Sequence, residues 1–150
     1  MNAQRIAARI LRAVGILVIM LGLVHIAATS HIPGLLSGCP PAVYERAVGP
    51  TLLNHVLVGI LLLPLGYTTW LAASREHNEA WATRTLIANT MATFTLPVSI
   101  VVFMRRPEYY TGPLFLTGVG LVAIISLLMA AATGIRIGGR RSMEGTAPPR

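Results

Sequence analysis

The chain has 150 residues, of which 54% are hydrophobic and only 11% charged, with a mean hydropathy of +0.67. Soluble domains carry about 25% charged residues, so this composition excludes an ordinary water-soluble domain and points to the bilayer as solvent. The net charge of +7 does not indicate nucleic-acid binding, because the basic residues gather at the ends of apolar runs, where a membrane accounts for them.

All twelve basic residues are arginine, and the five acids are all glutamate: Glu45, Glu76, Glu79, Glu108 and Glu144. With no aspartate, the Asp-rich metal sites of membrane prenyl and phosphoalcohol transferases are excluded. The single cysteine, Cys39, excludes an intrachain disulfide, a CxxC redox motif and a quinone-linked disulfide oxidoreductase.

Crossing a bilayer takes about 20 mostly apolar residues. Four runs qualify, at 10–29, 51–73, 85–104 and 113–134. They are continuous rather than alternating, so a sheet barrel is not expected. The expected fold is all-α: an integral membrane four-helix bundle forming one domain over 1–137. The first run could be confused with a signal peptide, since Arg5, Arg9 and Arg12 form a basic leader and Ala27, Ala28, Thr29 and Ser30 are small. Its apolar stretch is long for such a leader and contains His25, so it is expected to be retained as a span.

On the first span Ala8, Gly15, Gly22 and Thr29 recur every seven residues. Small residues at such spacing let membrane helices approach closely. His25 belongs to the same face. The connection over 31–50 is the one long loop, rich in proline and glycine, with Pro41 able to open a helical turn over 42–48. A loop of this length in a compact chain is a candidate functional cap.

On the second span His55 is followed by Gly59, Leu62 and Gly66 at helical spacing, and Pro64 should kink the helix. On the third, Asn89, Ala92, Leu96, Ser99 and Phe103 share a face, and Thr93 is placed to relieve the kink at Pro97. On the fourth, Gly120, Ala123, Leu127, Ala130 and Gly134 form the expected packing face. The tail over 138–150 is expected to be disordered.

Orientation follows from counting arginines. With the N-terminus inside, Arg5, Arg9, Arg12, Arg75, Arg84, Arg136, Arg140, Arg141 and Arg150 are inside, against Arg46, Arg105 and Arg106 outside. Both termini are therefore expected in the cytoplasm of a prokaryotic cell, and the 31–50 loop outside. Trp70 and Trp81 would anchor the inner interface, and Tyr109 and Tyr110 the outer one.

The histidines are the chemically informative residues. His25, His31 and His55 gather at the outer end of the first hairpin, while His77 falls in the inner loop. Ionisable groups within a bilayer are costly and commonly functional, although a neutral histidine is also an ordinary packing device. Three ligands suit such a site: a transition metal held by His25, His31, His55 and Glu45, a haem with His25 and His55 as axial ligands, or a lipid-soluble molecule such as a quinone. Thr29, Asn54 and Tyr44 would complete a ligand pocket, and Glu108 and Tyr109 would approach it from the third–fourth loop. If the protein is an enzyme, a membrane oxidoreductase is expected. The alternatives are an accessory subunit of a larger membrane complex, a homo-oligomer, or a small transporter. No carboxylate lies within a span, which disfavours the last, and Ser99 and Ser126 lack a nearby base for hydrolase chemistry.

Overall fold

A computed structural model of the protein describes residues 3–75, 79–104 and 112–144. Among these residues every regular element is helical: α1 (Ala3–Ala28), a 3-10 turn (Thr29–His31), α2 (Ile32–Leu36), α3 (Pro41–Ala73), α4 (Ala80–Phe103) and α5 (Pro113–Glu144). Four of these stretches are long and apolar enough to cross a membrane: Ala3–Leu36, Pro41–Ala73, Ala80–Phe103 and Leu116–Gly139. His77, Arg105, Arg106, Glu108, Tyr109, Tyr110 and the last six residues lie outside the described residues.

The 31–50 segment is not the long loop its prolines and glycines suggest. After the 3-10 turn it continues as α2, and only residues 37–40 are non-helical before α3 begins at Pro41. The second span thus starts ten residues before the expected position 51 and runs through Pro50 and Pro64. In an apolar medium the backbone must satisfy its own hydrogen bonds, so a helix tolerates a proline better than it tolerates an open loop. Among the described residues no glycine adopts a positive φ, so Gly34, Gly38 and Gly49 are not used for left-handed turns. At the other end of the chain α5 passes through Gly138 and Gly139 to Glu144, well into the segment expected to be tail.

The helices are organised in two compact units, Gly15–Tyr67 and Met1–Val14 with Thr68–Arg150. In the first, α1 and α3 meet backbone to backbone. A Cβ added at Gly66 would lie 2.5 Å from the Gly15 carbonyl oxygen, and one at Gly22 would lie 2.8 Å from the Gly59 oxygen. Real Cβ atoms do not come within 3.0 Å of such neighbours. Gly15 precedes Gly22 by seven residues and Gly59 precedes Gly66 by seven, in opposite order, so the helices run antiparallel in a fixed register. Leu62 is buried on the same face.

In the second unit α4 and α5 form the main pair. The residues with the least exposure are Ala82, Leu86 and Thr93 on α4, and Ile125, Ser126, Met129, Ala132, Thr133 and Arg136 on α5. Ala7, Leu11 and Val14 of α1 and Thr69, Ala72 and Ala73 of α3 are also buried here. The expected faces of both helices are corrected. On α4, Ala92, Ser99 and Phe103 are exposed, the last by 80%. On α5, Leu127 is 61% exposed, and nothing lies within 4 Å of a Cβ placed at Gly120 or Gly134. These faces follow hydrogen bonding rather than residue size. Asn89 donates to both Thr68 and Thr69 Oγ1 at 2.9 Å, Thr90 meets Thr133 at 3.1 Å, and Ser126 donates to the Thr93 carbonyl at 3.3 Å. Turning hydroxyls and an amide inward satisfies them, which a bilayer would not.

Candidate functional site

The Gly22–Gly59 contact brings α1 and α3 so close that the next polar side chains along each helix must meet. They are His25 and His55. Their ring centroids are 4.4 Å apart and the planes are inclined by 21°, a stacked pair. Both residues are half-buried. His55 Nδ1 lies 3.4 Å from the backbone carbonyl of His25. A carbonyl only accepts, so Nδ1 of His55 is the donor in this contact, and Nε2 takes no part in it. Thr29, one turn after His25, donates its hydroxyl to the same carbonyl at 3.0 Å. The carbonyl of His25 is therefore the hub that aligns both neighbours.

The other expected members stand apart from this hub. His31 is exposed, with Nδ1 3.2 Å from Ser30 Oγ. Asn54 and Glu45 are exposed and Tyr44 is half-buried. Tyr44 and Glu45 line an open concavity of about 320 Å³ with Ser37, Cys39 and Pro41. Among the described residues no three histidine, cysteine or acidic side chains converge as a metal centre would need. The expected set of His25, His31, His55 and Glu45 is thus reduced to its two-histidine core.

Stacking limits what that core can hold. Imidazole lone pairs lie in the ring plane, so stacked rings direct them side by side rather than to a common point. One metal at bonds of about 2.0–2.1 Å to both would require a ring to swing out of the stack. A haem takes axial imidazoles end-on from opposite faces of the macrocycle, and face-to-face rings 4.4 Å apart leave no slot for it. The arrangement suits hydrogen bonding to a small polar group through the ring edges.

The sequence reading passed over one residue that the fold uses heavily. Arg136 is buried, and its guanidinium donates from Nη1 to the Ala73 carbonyl at 3.0 Å and from Nη2 to the Arg75 carbonyl at 2.9 Å. Ala73 is the last residue of α3 and Arg75 lies two residues beyond it, at the end where a helix leaves acceptors without partners. The signal was present in the spacing, since Met129, Ala132, Thr133 and Arg136 share one helical face. Arginine counting had assigned it to the interface instead.

An all-helical chain with four stretches able to cross a bilayer is that of a membrane protein. Beyond that class, comparison with protein-family models, curated proteins and solved structures finds no match.

Proposed function

We propose that the chain is a four-helix bundle with both termini in the cytoplasm, whose His25–His55 pair binds a lipid-soluble ligand bearing a carbonyl or hydroxyl group, such as a quinone. The observation that carries this is the stacked pair with one ring nitrogen of His55 engaged by the His25 carbonyl. The remaining His55 nitrogen accepts a hydrogen bond from a hydroxyl, and a protonated ring nitrogen of His25 donates one to a carbonyl. A redox role would need an electron donor outside this chain: reduction of a bound quinone to the quinol takes two electrons from that donor and two protons, which these ring nitrogens are placed to relay. Their geometry favours an organic ligand over the metal and haem readings. The excess of arginine at one set of loop ends supports the orientation, which places the pair toward the outer leaflet.

The test is binding of a soluble quinone analogue to the purified protein in lipid nanodiscs, followed by calorimetry. Saturable binding that is lost in His25→Phe supports the reading. No binding, or a purified protein that carries a Soret band or stoichiometric metal, overturns it.

A second reading is an accessory subunit. It draws on α4 beyond Thr93, where no residue of 94–103 is buried and Val101 and Phe103 are prominently exposed. Lipid alone can cover such a face, so co-purification of a partner in fixed ratio is the observation that would favour this reading.

A further inference from the structure

We propose that the concavity at the corner between α2 and α3 binds a primary ammonium group. It lies within the Gly15–Tyr67 unit, which is described throughout. Its volume of about 320 Å³ falls in the range of small-molecule sites, about 300–1,000 Å³. The polar groups that line it are acceptors first. Ser37 spends its hydroxyl proton on the Gly34 carbonyl at 2.7 Å, so its oxygen is left to accept. The Glu45 carboxylate only accepts, and neither Glu45 nor Tyr44 has a side-chain hydrogen bond or ion pair with a described residue. Arg46 follows Glu45 on the helix but does not line the concavity.

An acceptor-lined hollow with one carboxylate calls for a cation that donates N–H bonds. Tyr44 is half-buried at its wall and brings a ring whose face attracts cations. A quaternary ammonium has no N–H to give, and cages of several aromatic rings hold it. One tyrosine beside two acceptor oxygens suits a primary ammonium instead. The start of α3 is not equipped for an anion. Pro41 has no N–H, and Val43 and Tyr44 give theirs to the Pro40 carbonyl at 2.9 and 3.0 Å. The same ammonium chemistry is carried by free alkylamines and by the ethanolamine headgroup of a lipid. Glu45 precedes His55 by ten residues, about 15 Å along a helix, so this site and the histidine pair stand or fall separately.

The experiment titrates the full-length protein in a neutral detergent, read by calorimetry. The probes are ethanolamine, choline, and short-chain phosphatidylethanolamine and phosphatidylcholine. An ethanolamine compound is expected to saturate, and its choline counterpart to bind about tenfold more weakly or worse, the loss of a charge-assisted hydrogen bond. Glu45→Gln should weaken binding about tenfold or more. Tyr44→Leu should weaken it about two- to fivefold, and Tyr44→Phe, which keeps the ring, should restore it. Glu79→Gln removes a carboxylate that Trp81 engages elsewhere in the chain, and should change nothing. Binding of ethanolamine and its lipid alike assigns the site to free amines, and binding of the lipid alone assigns it to the headgroup; either supports the proposal. Equal binding of ethanolamine and choline compounds overturns it. So does the absence of saturable binding by either ethanolamine compound, or an equal loss in Glu45→Gln and Glu79→Gln.

Discussion

The hydroxyl of Ser126 on α5 meets the backbone carbonyl of Thr93 on α4 at 3.3 Å. This is the carbonyl that Pro97, four residues on and without an N–H, leaves without its helical donor. The sequence suggests that the Thr93 hydroxyl would relieve the kink. It turns back instead to the Asn89 carbonyl at 2.8 Å. Ser126 has one hydroxyl proton and shares it between this carbonyl and the nearer Val122 carbonyl of its own helix, at 2.8 Å, so the neighbouring helix gives the freed carbonyl a shared hydrogen bond that ties the bend in α4 to its packing against α5.

Ser126→Ala should lower stability by about 0.6 to 1 kcal/mol, the range for hydrogen bonds inside membrane proteins and for typical protein hydrogen bonds. Pro97→Ala restores an N–H to Thr93, so in that background the cost of Ser126→Ala should shrink toward zero. Reversible unfolding in mixed micelles, read by circular dichroism across the double-mutant cycle, measures the coupling. Additive effects would mean that Ser126 does not serve the proline-freed carbonyl.

Glycine substitutions should separate the packed from the unpacked positions. Gly59→Ala places a methyl group 2.6 Å from Ile26 Cγ1 and 2.9 Å from the Gly22 oxygen. Overpacking of this kind costs about 1–3 kcal/mol. Gly120→Ala meets nothing within 4 Å and should be neutral or stabilise by up to about 1 kcal/mol through helix propensity. The same unfolding assay decides both, and equal effects would contradict the backbone contact at Gly59.

What the sequence made legible followed from strong, repeated signals. Four apolar runs gave four helices, because length and hydropathy suffice for a span. The seven-residue spacing of Gly15 and Gly22 located a true helix contact, and with it the meeting of His25 and His55. The same logic failed at Gly120 and Gly134. Small residues permit close approach but do not require it, and the partner face there is set by Thr133, Ser126 and Arg136. In the 31–50 segment the helical turn opened by Pro41 was legible, but its continuation into the second span was not, because proline and glycine break helices in water whereas an apolar medium penalises the open loop more. That His31 and Glu45 stand apart from the pair was not legible, because it depends on side-chain directions after a turn whose shape the sequence does not encode in a motif.

Arg136→Lys should show that geometry, not charge, secures the end of α3. A guanidinium reaches the Ala73 and Arg75 carbonyls with separate nitrogens, whereas an ammonium is a single point of donation. Loss of one charge-assisted bond costs about 1.5–3 kcal/mol. Hydrogen exchange at the last turn of α3 should rise in Arg136→Lys while exchange in the Gly15–Tyr67 unit stays unchanged. Uniform change across both units would argue for global destabilisation instead.

The histidine pair can be tested by substitutions that separate stability from ligand binding. In His25→Phe the residue 25 carbonyl remains, so His55 and Thr29 keep their acceptor and an aromatic ring still stacks. Stability should change by no more than about 0.5 kcal/mol, while quinone-analogue binding is lost with the imidazole. In His55→Phe the stack survives but the Nδ1 hydrogen bond does not, so stability should fall by about 1 kcal/mol and binding should again be lost. Unfolding and calorimetry on the same two variants give both readouts. If binding survives in His25→Phe, or is absent from the unmodified protein, the stacked pair is a packing device that locks α1 to α3. If stability falls equally in both variants, the imidazole of His25 itself holds the hairpin, and the carbonyl is not the hub that aligns the site.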